Sequence, residues 1–341
     1  MTGDAARMTP SKRRLLAALM SLAGVLAGLA AAEVYLRSAE LRVDDPYLHH
    51  TYKKNAEVAH QGIAYRTNSL GFRDRAPREV GRRTERRFRI LVLGDSFAAG
   101  SKVDYEDCFA ARLEAMFRRD GEDVEVLNGG VTSLSPSLEY RKLARFLDQG
   151  YAADMVVLML DISDVMDEAG LGGAPERKTW ASVASGSRVV QQLRRVRRDP
   201  DRGLDWDDPR AGWTELDWAA HPWIEEGLRR CQQGILDASR LCRQRGMPFL
   251  LVFHPWPHQL RSSRRPSPQQ TIFSDFAKRQ GVTFHDLFPA FFALEDWRSC
   301  YLPGDGHWNK DGHALVARSL YARLRALKAR LPTADRDPGV L

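Results

Sequence analysis

Cysteine is scarce, at four in 341 residues, and none of the four falls in a C-x-x-C pair or a Cys/His cluster. Zinc-ligand spacing is missing as well, so no metal site is expected. The chain also lacks an aromatic RNA-binding signature and a helix-turn-helix pattern. Nucleic acid is therefore not expected as a partner, although the net charge is +7 and the pI near 9.3. The basic residues, among them Arg82, Arg83, Arg86 and Arg87, read as a solvated surface. A hydrophobic content of 43% rules out disorder throughout. The length suffices for one large globular domain with additions.

One long apolar run stands out. Residues 1–10 are polar, Lys12, Arg13 and Arg14 are basic, and Leu15 to Leu36 is apolar except for Ser21 and Glu33. About 20 apolar residues span a bilayer as a helix. The reading is a cytoplasmic tail at 1–14 and a transmembrane anchor at 15–37. That makes a single-pass inner-membrane protein whose remainder lies in the periplasm or outside the cytoplasmic membrane. A cleaved signal peptide, cut near Ala30-Ala31-Ala32, is the alternative. In such an oxidising compartment Cys108, Cys231, Cys242 and Cys300 are free to pair. Cys231 and Cys242 fall on one predicted helix about 16 Å apart, too far to bridge each other. Pairing with Cys108 or Cys300, or four buried thiols, both stay open.

From Phe88 onward strand and helix patterns alternate. Strands are predicted at 88–93, 124–127, 155–160, 249–253 and 282–288, and helices at 108–118, 137–149, 224–245, 268–280 and 310–329. This predicts a three-layer α/β/α, flavodoxin-like sandwich with a mainly parallel sheet, its site at the carboxyl ends of the strands. Residues 38–87 read as an extended, irregular lead-in, 88–331 as the main domain and 332–341 as a tail. An insertion at 166–223 breaks the alternation; it is rich in tryptophan, and Arg188 to Arg198 is a basic run. Its tryptophans suit either a sugar-gripping cap or the packing of a small lobe.

The stretch FRILVLGDSFAAG, Phe88 to Gly100, delivers Ser96 where a buried strand hands over to a helix. A serine there exposes its Oγ near free N–H groups. Far along the chain, GDGHWNKDGH places Asp305 and His307 two residues apart in a loop. In extended chain these point to one side, so the carboxylate can hold Nδ1–H and leave Nε2 to take a serine proton. His313 is the second candidate for that base.

In these segments the chain resembles the SGNH or GDSL hydrolase family over roughly Tyr65 to Leu327, and specifically its membrane-anchored bacterial members, similar to alginate and exopolysaccharide O-acetylation proteins. The first block is Gly94-Asp95-Ser96, the second Asn128-Gly129-Gly130 and the fourth Asp305-Gly306-His307. The third, normally Gly-x-Asn-Asp, falls on Asp161-Ile162-Ser163-Asp164 and departs from the pattern twice, with Asp161 for glycine and Ser163 for asparagine. The resemblance implies Ser96 as nucleophile, His307 as base and Asp305 as its orienting acid. The implied oxyanion hole consists of Ser96, Gly130 and Ser163, and no cofactor is implied. Arg73 in the segment TNSLGFRD is a candidate for holding an anionic group. With Asp95, Asp164, and His254 and Trp256 of HPWPHQ, it makes up the candidate substrate-binding set. The expected activity is that of a serine esterase or hydrolase acting on acyl esters, those of a glycan foremost. One alternative is an O-acetyltransferase of an exopolysaccharide or envelope glycan, fed by a membrane-bound O-acyltransferase partner. The other is a non-catalytic glycan-binding protein on a decayed hydrolase scaffold.

Overall fold

A computed structural model describes residues 10–38, 40–60, 62–82, 87–171, 212–262 and 264–331. Trp180, Trp206 and the basic run Arg188 to Arg198 lie outside the described residues.

The N-terminal helix α1, Pro10–Ser38, belongs to a compact unit separate from the body that begins at Leu41. Ser11–Leu36 of this helix is long and apolar enough to cross a membrane or to serve as a signal sequence. Leu15, Met20, Val25 and Val34 are all exposed.

The segment expected to be irregular instead forms two short antiparallel hairpins. In the first, β1 (Arg42–Asp45) pairs with β2 (His49–Tyr52); in the second, β3 (Glu57–His60) pairs with β4 (Ile63–Arg66). Each strand is only four residues long, and RVDD carries no apolar alternation, which is why a periodicity reading passes over it. A side chain closes the first turn, Asp45 Oδ1 accepting the N–H groups of Tyr47 and Leu48 at 2.8 Å.

The main sheet has β5 (Phe88–Leu93), β6 (Val124–Asn128), β7 (Met155–Leu160), β8 (Phe249–Phe253) and β9 (Phe284–Asp286) in the order β6-β5-β7-β8-β9, all parallel. This is the flavodoxin-like order, which reverses beside β5 and opens a crevice at the strand ends there. Every residue of β7 is buried, as are Ile90 to Leu93 of β5. Continuous apolar runs are what a parallel sheet covered on both faces requires. β9 is shorter than the expected 282–288 because Asp286 Oδ1 accepts the Phe288 N–H and starts a new helix.

The helices between strands are α2 (Ser96–Ala99), α3 (Phe109–Arg119), α4 (Pro136–Asp148), α5 (Asp164–Leu171) and α6 (Trp223–Gln244). After β8 come α7 (Pro257–Arg261), α8 (Pro268–Gln280), α9 (Phe288–Phe292) and α10 (Lys310–Lys328). Cys231, Ile235, Ala238 and Cys242 line the buried face of α6, so two of the cysteines serve as small apolar core residues. All four thiols are buried and unpaired. Burial pushes that of Cys242 up to about 12. On α10, Val316, Leu320 and Leu324 form the buried stripe that docks on α3.

His313, on the first turn of α10, is buried with its Nδ1 accepting the Phe109 N–H at 3.3 Å. Burial lowers its pKa to about 3, which corrects its candidacy as the base: it is a packed structural imidazole. Because the folded-state value lies below that of an unfolded histidine, near 6.5, its stabilising contribution is complete above pH 6.5 and is lost as pH falls toward 3. His313→Asn, whose Oδ1 can accept the same N–H, removes this term. The difference in unfolding free energy between wild type and variant should therefore shrink by about 2 kcal/mol between pH 8 and pH 5. Urea unfolding of both proteins at the two pH values measures this. A difference that does not change with pH would assign the acid sensitivity elsewhere.

Candidate active site

Ser96 is the first residue of α2, immediately past β5. Gly94 makes the approach possible: its φ is +150°, and a Cβ there would lie 2.6 Å from Ala98 Cβ and 2.9 Å from Met159 Cβ. Only glycine allows the strand to turn this sharply against its neighbour. Asp95 then caps the short helix, its Oδ1 accepting the Phe97 N–H at 2.8 Å.

The fourth block reaches Ser96 from a loop closed by the Tyr301–Trp308 bridge. His307 Nε2 lies 2.8 Å from Ser96 Oγ, and its Nδ1 lies 2.5 Å from Asp305 Oδ1. Asp305 Oδ1 also accepts the His307 backbone N–H at 2.9 Å. A carboxylate on Nδ1 holds the proton there and leaves Nε2 as the acceptor for the serine hydroxyl. Lys102 forms an ion pair with the other oxygen, Asp305 Oδ2. The Phe97 ring lies under the imidazole at 4.8 Å, near-parallel at 28°, and fixes its plane. Lys102 and Phe97 escaped the sequence reading; a lysine in a polar loop carries no pattern that marks it.

Asp95 Oδ2 is 3.2 Å from Ser96 Oγ, so a second acceptor competes for one hydroxyl proton. Asp95 is buried, and desolvation together with the charge of Asp161 raises its pKa well above the carboxylate range. A raised pKa weakens Asp95 as an acceptor, and at 2.8 Å against 3.2 Å His307 Nε2 is the nearer acceptor for the hydroxyl proton.

The candidate oxyanion donors are differently placed. Ser96 N–H stands at the start of α2, ahead of any intrahelical acceptor. Gly130 N–H instead donates to Asn128 Oδ1 at 3.1 Å, and Ser163 Oγ–H donates to Asp161 Oδ1 at 2.7 Å. Gly130 packs so tightly that a Cβ would fall 2.4 Å from Ala99 N. In this state, then, two of the three expected donors are turned to the protein itself.

The candidate substrate-binding residues need a larger correction, because all five are buried. The Arg73 guanidinium is spent on backbone carbonyls: those of Ala99 at 2.8 Å, Val103 at 2.5 Å and Gly100. It also lies 4.4 Å over the Tyr65 ring. It therefore holds the far end of the Ser96 turn from inside the protein, where only the buried Nε is left without an acceptor among the described residues. Asp164 Oδ2 accepts the Asp161 N–H at 2.8 Å, and Trp256 Nε1–H donates to Asp161 Oδ2 at 2.7 Å. His254 is fully enclosed against the rings of Phe97 and Trp308. Asp95, Asp161, Asp164, His254 and Trp256 thus form a polar wall behind Ser96.

Residues 92–315 match the GDSL-like lipase/acylhydrolase family. The chain belongs to that family. An arylesterase of Vibrio mimicus is 28% identical over 128 residues, which is 35% of this chain and 60% of the relative, so the chain spans less than two thirds of that relative's length. Among solved structures, the psychrotrophic esterase EstA from Pseudoalteromonas sp. is similar with a TM-score of 0.43 at 12% identity, covering 71% of this chain and 99% of that one. An acetyl xylan esterase, AlAXEase, is similar with a TM-score of 0.44 at 13% identity, covering 70% of this chain and all of the other.

Proposed function

We propose that this GDSL family member is a serine esterase that cleaves acyl esters, anchored by α1 and working outside the cytoplasmic membrane. The observation that carries this reading is the continuous line Ser96 Oγ, His307 Nε2, His307 Nδ1, Asp305 Oδ1, with contacts of 2.8 and 2.5 Å. Ser96 attacks the acyl carbonyl while its proton passes to His307, and Asp305 stabilises the imidazolium that forms. The Ser96 N–H at the start of α2 meets the oxyanion. His307 then returns the proton to the departing alcohol, and water attacks the acyl-enzyme by the same route in reverse. With the active body outside the membrane, the acyl esters of an envelope glycan are the substrate class within reach.

A second reading is acyl transfer to a sugar hydroxyl, with a membrane-bound O-acyltransferase supplying the acyl group. The altered third block, where Ser163 Oγ–H is held by Asp161, is the feature that sets this chain apart from the hydrolase pattern; the oxyanion itself is common to both acceptors. Full-length protein in detergent, given 4-nitrophenyl acetate with and without an oligosaccharide, tests both readings. Esterase action releases nitrophenol and acetate in equal amounts whether or not sugar is present. Acetyl on the sugar by mass spectrometry would install the transfer reading, and no nitrophenol release above buffer would remove both.

A further inference from the structure

Behind the nucleophile lies a buried cluster whose histidine the ester chemistry does not use. Asp95 and Asp161 face each other there, and His254 joins them; one ligand-capable atom from each lies within 4.8 Å of the other two. All three side chains are buried, His254 completely. Neither ring nitrogen of His254 makes a hydrogen bond of normal geometry among the described residues; its polar neighbours are the Pro255 backbone and Asp161, whose Oδ2 lies 3.9 Å from Nε2. An enclosed imidazole so weakly bonded is costly unless something else fills that role.

We propose that Asp95, Asp161 and His254 bind one divalent first-row transition-metal ion of the zinc class. One imidazole nitrogen with two carboxylate oxygens is a donor set such ions accept. With bonds of about 2.0–2.2 Å, tetrahedral ligand atoms stand about 3.4 Å apart. The 3.9 Å gap closes to that value by a shift of a few tenths of an ångström in each side chain. The surroundings hold the ligands in place. Asp161 is fixed by the Trp256 indole N–H and by the N–H and hydroxyl of Ser163, while Asp95 is fixed by Phe97 N–H. Burial keeps His254 neutral, with its pKa lowered to about 4, which is the form that ligates. Any proton that Asp95 carries leaves to solvent as the ion binds. The site depends on Asp161, the carboxylate that stands where the third block of the family pattern has glycine.

Cobalt(II) is the probe for the first test, added to metal-stripped full-length protein in detergent and followed by its visible absorption, with zinc(II) as competitor. The expected result is one ion per chain with a Kd below about 10 μM, displaced by zinc. Asp161→Gly and His254→Gln should each weaken binding at least about 100-fold. His49→Ala, which removes the surface imidazole paired with His50, should not change it. No absorption change, or binding that survives both Asp161→Gly and His254→Gln, overturns the proposal. A second reading does not depend on those two variants folding. In the His49→Ala background, zinc at a hundredfold excess over its Kd should raise Tm by about 5 °C. An unchanged Tm overturns the proposal as well.

Discussion

Ser96→Ala is expected to lower kcat/KM for 4-nitrophenyl acetate by about 10²-fold, with His307→Ala close behind and the double variant little worse than either. The last point follows because nucleophile and base act as one unit, so removing either disables both. The size of the loss is a balance of two terms. A complete triad with a full oxyanion hole can lose about 10⁶-fold in kcat when its serine goes. Each missing oxyanion donor, however, removes about 10²- to 10³-fold from the starting activity. Here the Gly130 N–H is held by Asn128 and the Ser163 hydroxyl by Asp161. The wild-type enzyme therefore starts lower, and the fall to background is shorter. Steady-state kinetics on purified variants measure it; a Ser96→Ala protein keeping more than about a tenth of wild-type activity would sink the assignment of the nucleophile.

The second large effect is on stability. Arg73→Ala should destabilise the protein by about 3–5 kcal/mol, the range for breaking the contacts of a buried charged group. The carbonyls of Ala99, Gly100 and Val103 lose the guanidinium, Ala99 O keeping Tyr65 Oη–H at 3.3 Å and Gly100 O the Val103 N–H at 3.5 Å, and the space under the Tyr65 ring is left empty. In a domain of this size that is a fall in Tm of about 8 °C. Arg73→Lys should recover less than half, because one ammonium cannot reach carbonyls that a planar fork spans from two nitrogens. Urea unfolding of the three proteins decides. A loss below about 1 kcal/mol in Arg73→Ala would mean that the guanidinium contacts hold little.

The main sheet was legible because strands buried on both faces show as unbroken apolar runs; Phe88–Leu93, Met155–Leu160 and Phe249–Phe253 begin and end where expected. The hairpins of residues 42–66 were not legible, since each strand has only four residues and the first turn is closed by the side chain of Asp45. Motif spacing named Ser96, Asp305 and His307, and the structure brings these three together. It could not say that Arg73 is buried, because its partners lie 26 to 30 residues away and are backbone atoms without a sequence signature. Asp161 stood out in the chain as a departure from a pattern. What the departure does depends on three side chains, of Ser163, Trp256 and His254, that only folding assembles around it.

The Arg73 contacts also bear on where the working fold begins. The residues that match the family run from Val92, yet the turn carrying Ser96 is braced from outside that boundary. Arg73 N–H donates to Asn128 O at 3.0 Å while its guanidinium ties down Ala99 to Val103. A keystone of the arch around Ser96 thus lies upstream of the residues matched to the family. Insertions or truncations between the hairpins and β5, silent by motif inspection, would act on Ser96 itself.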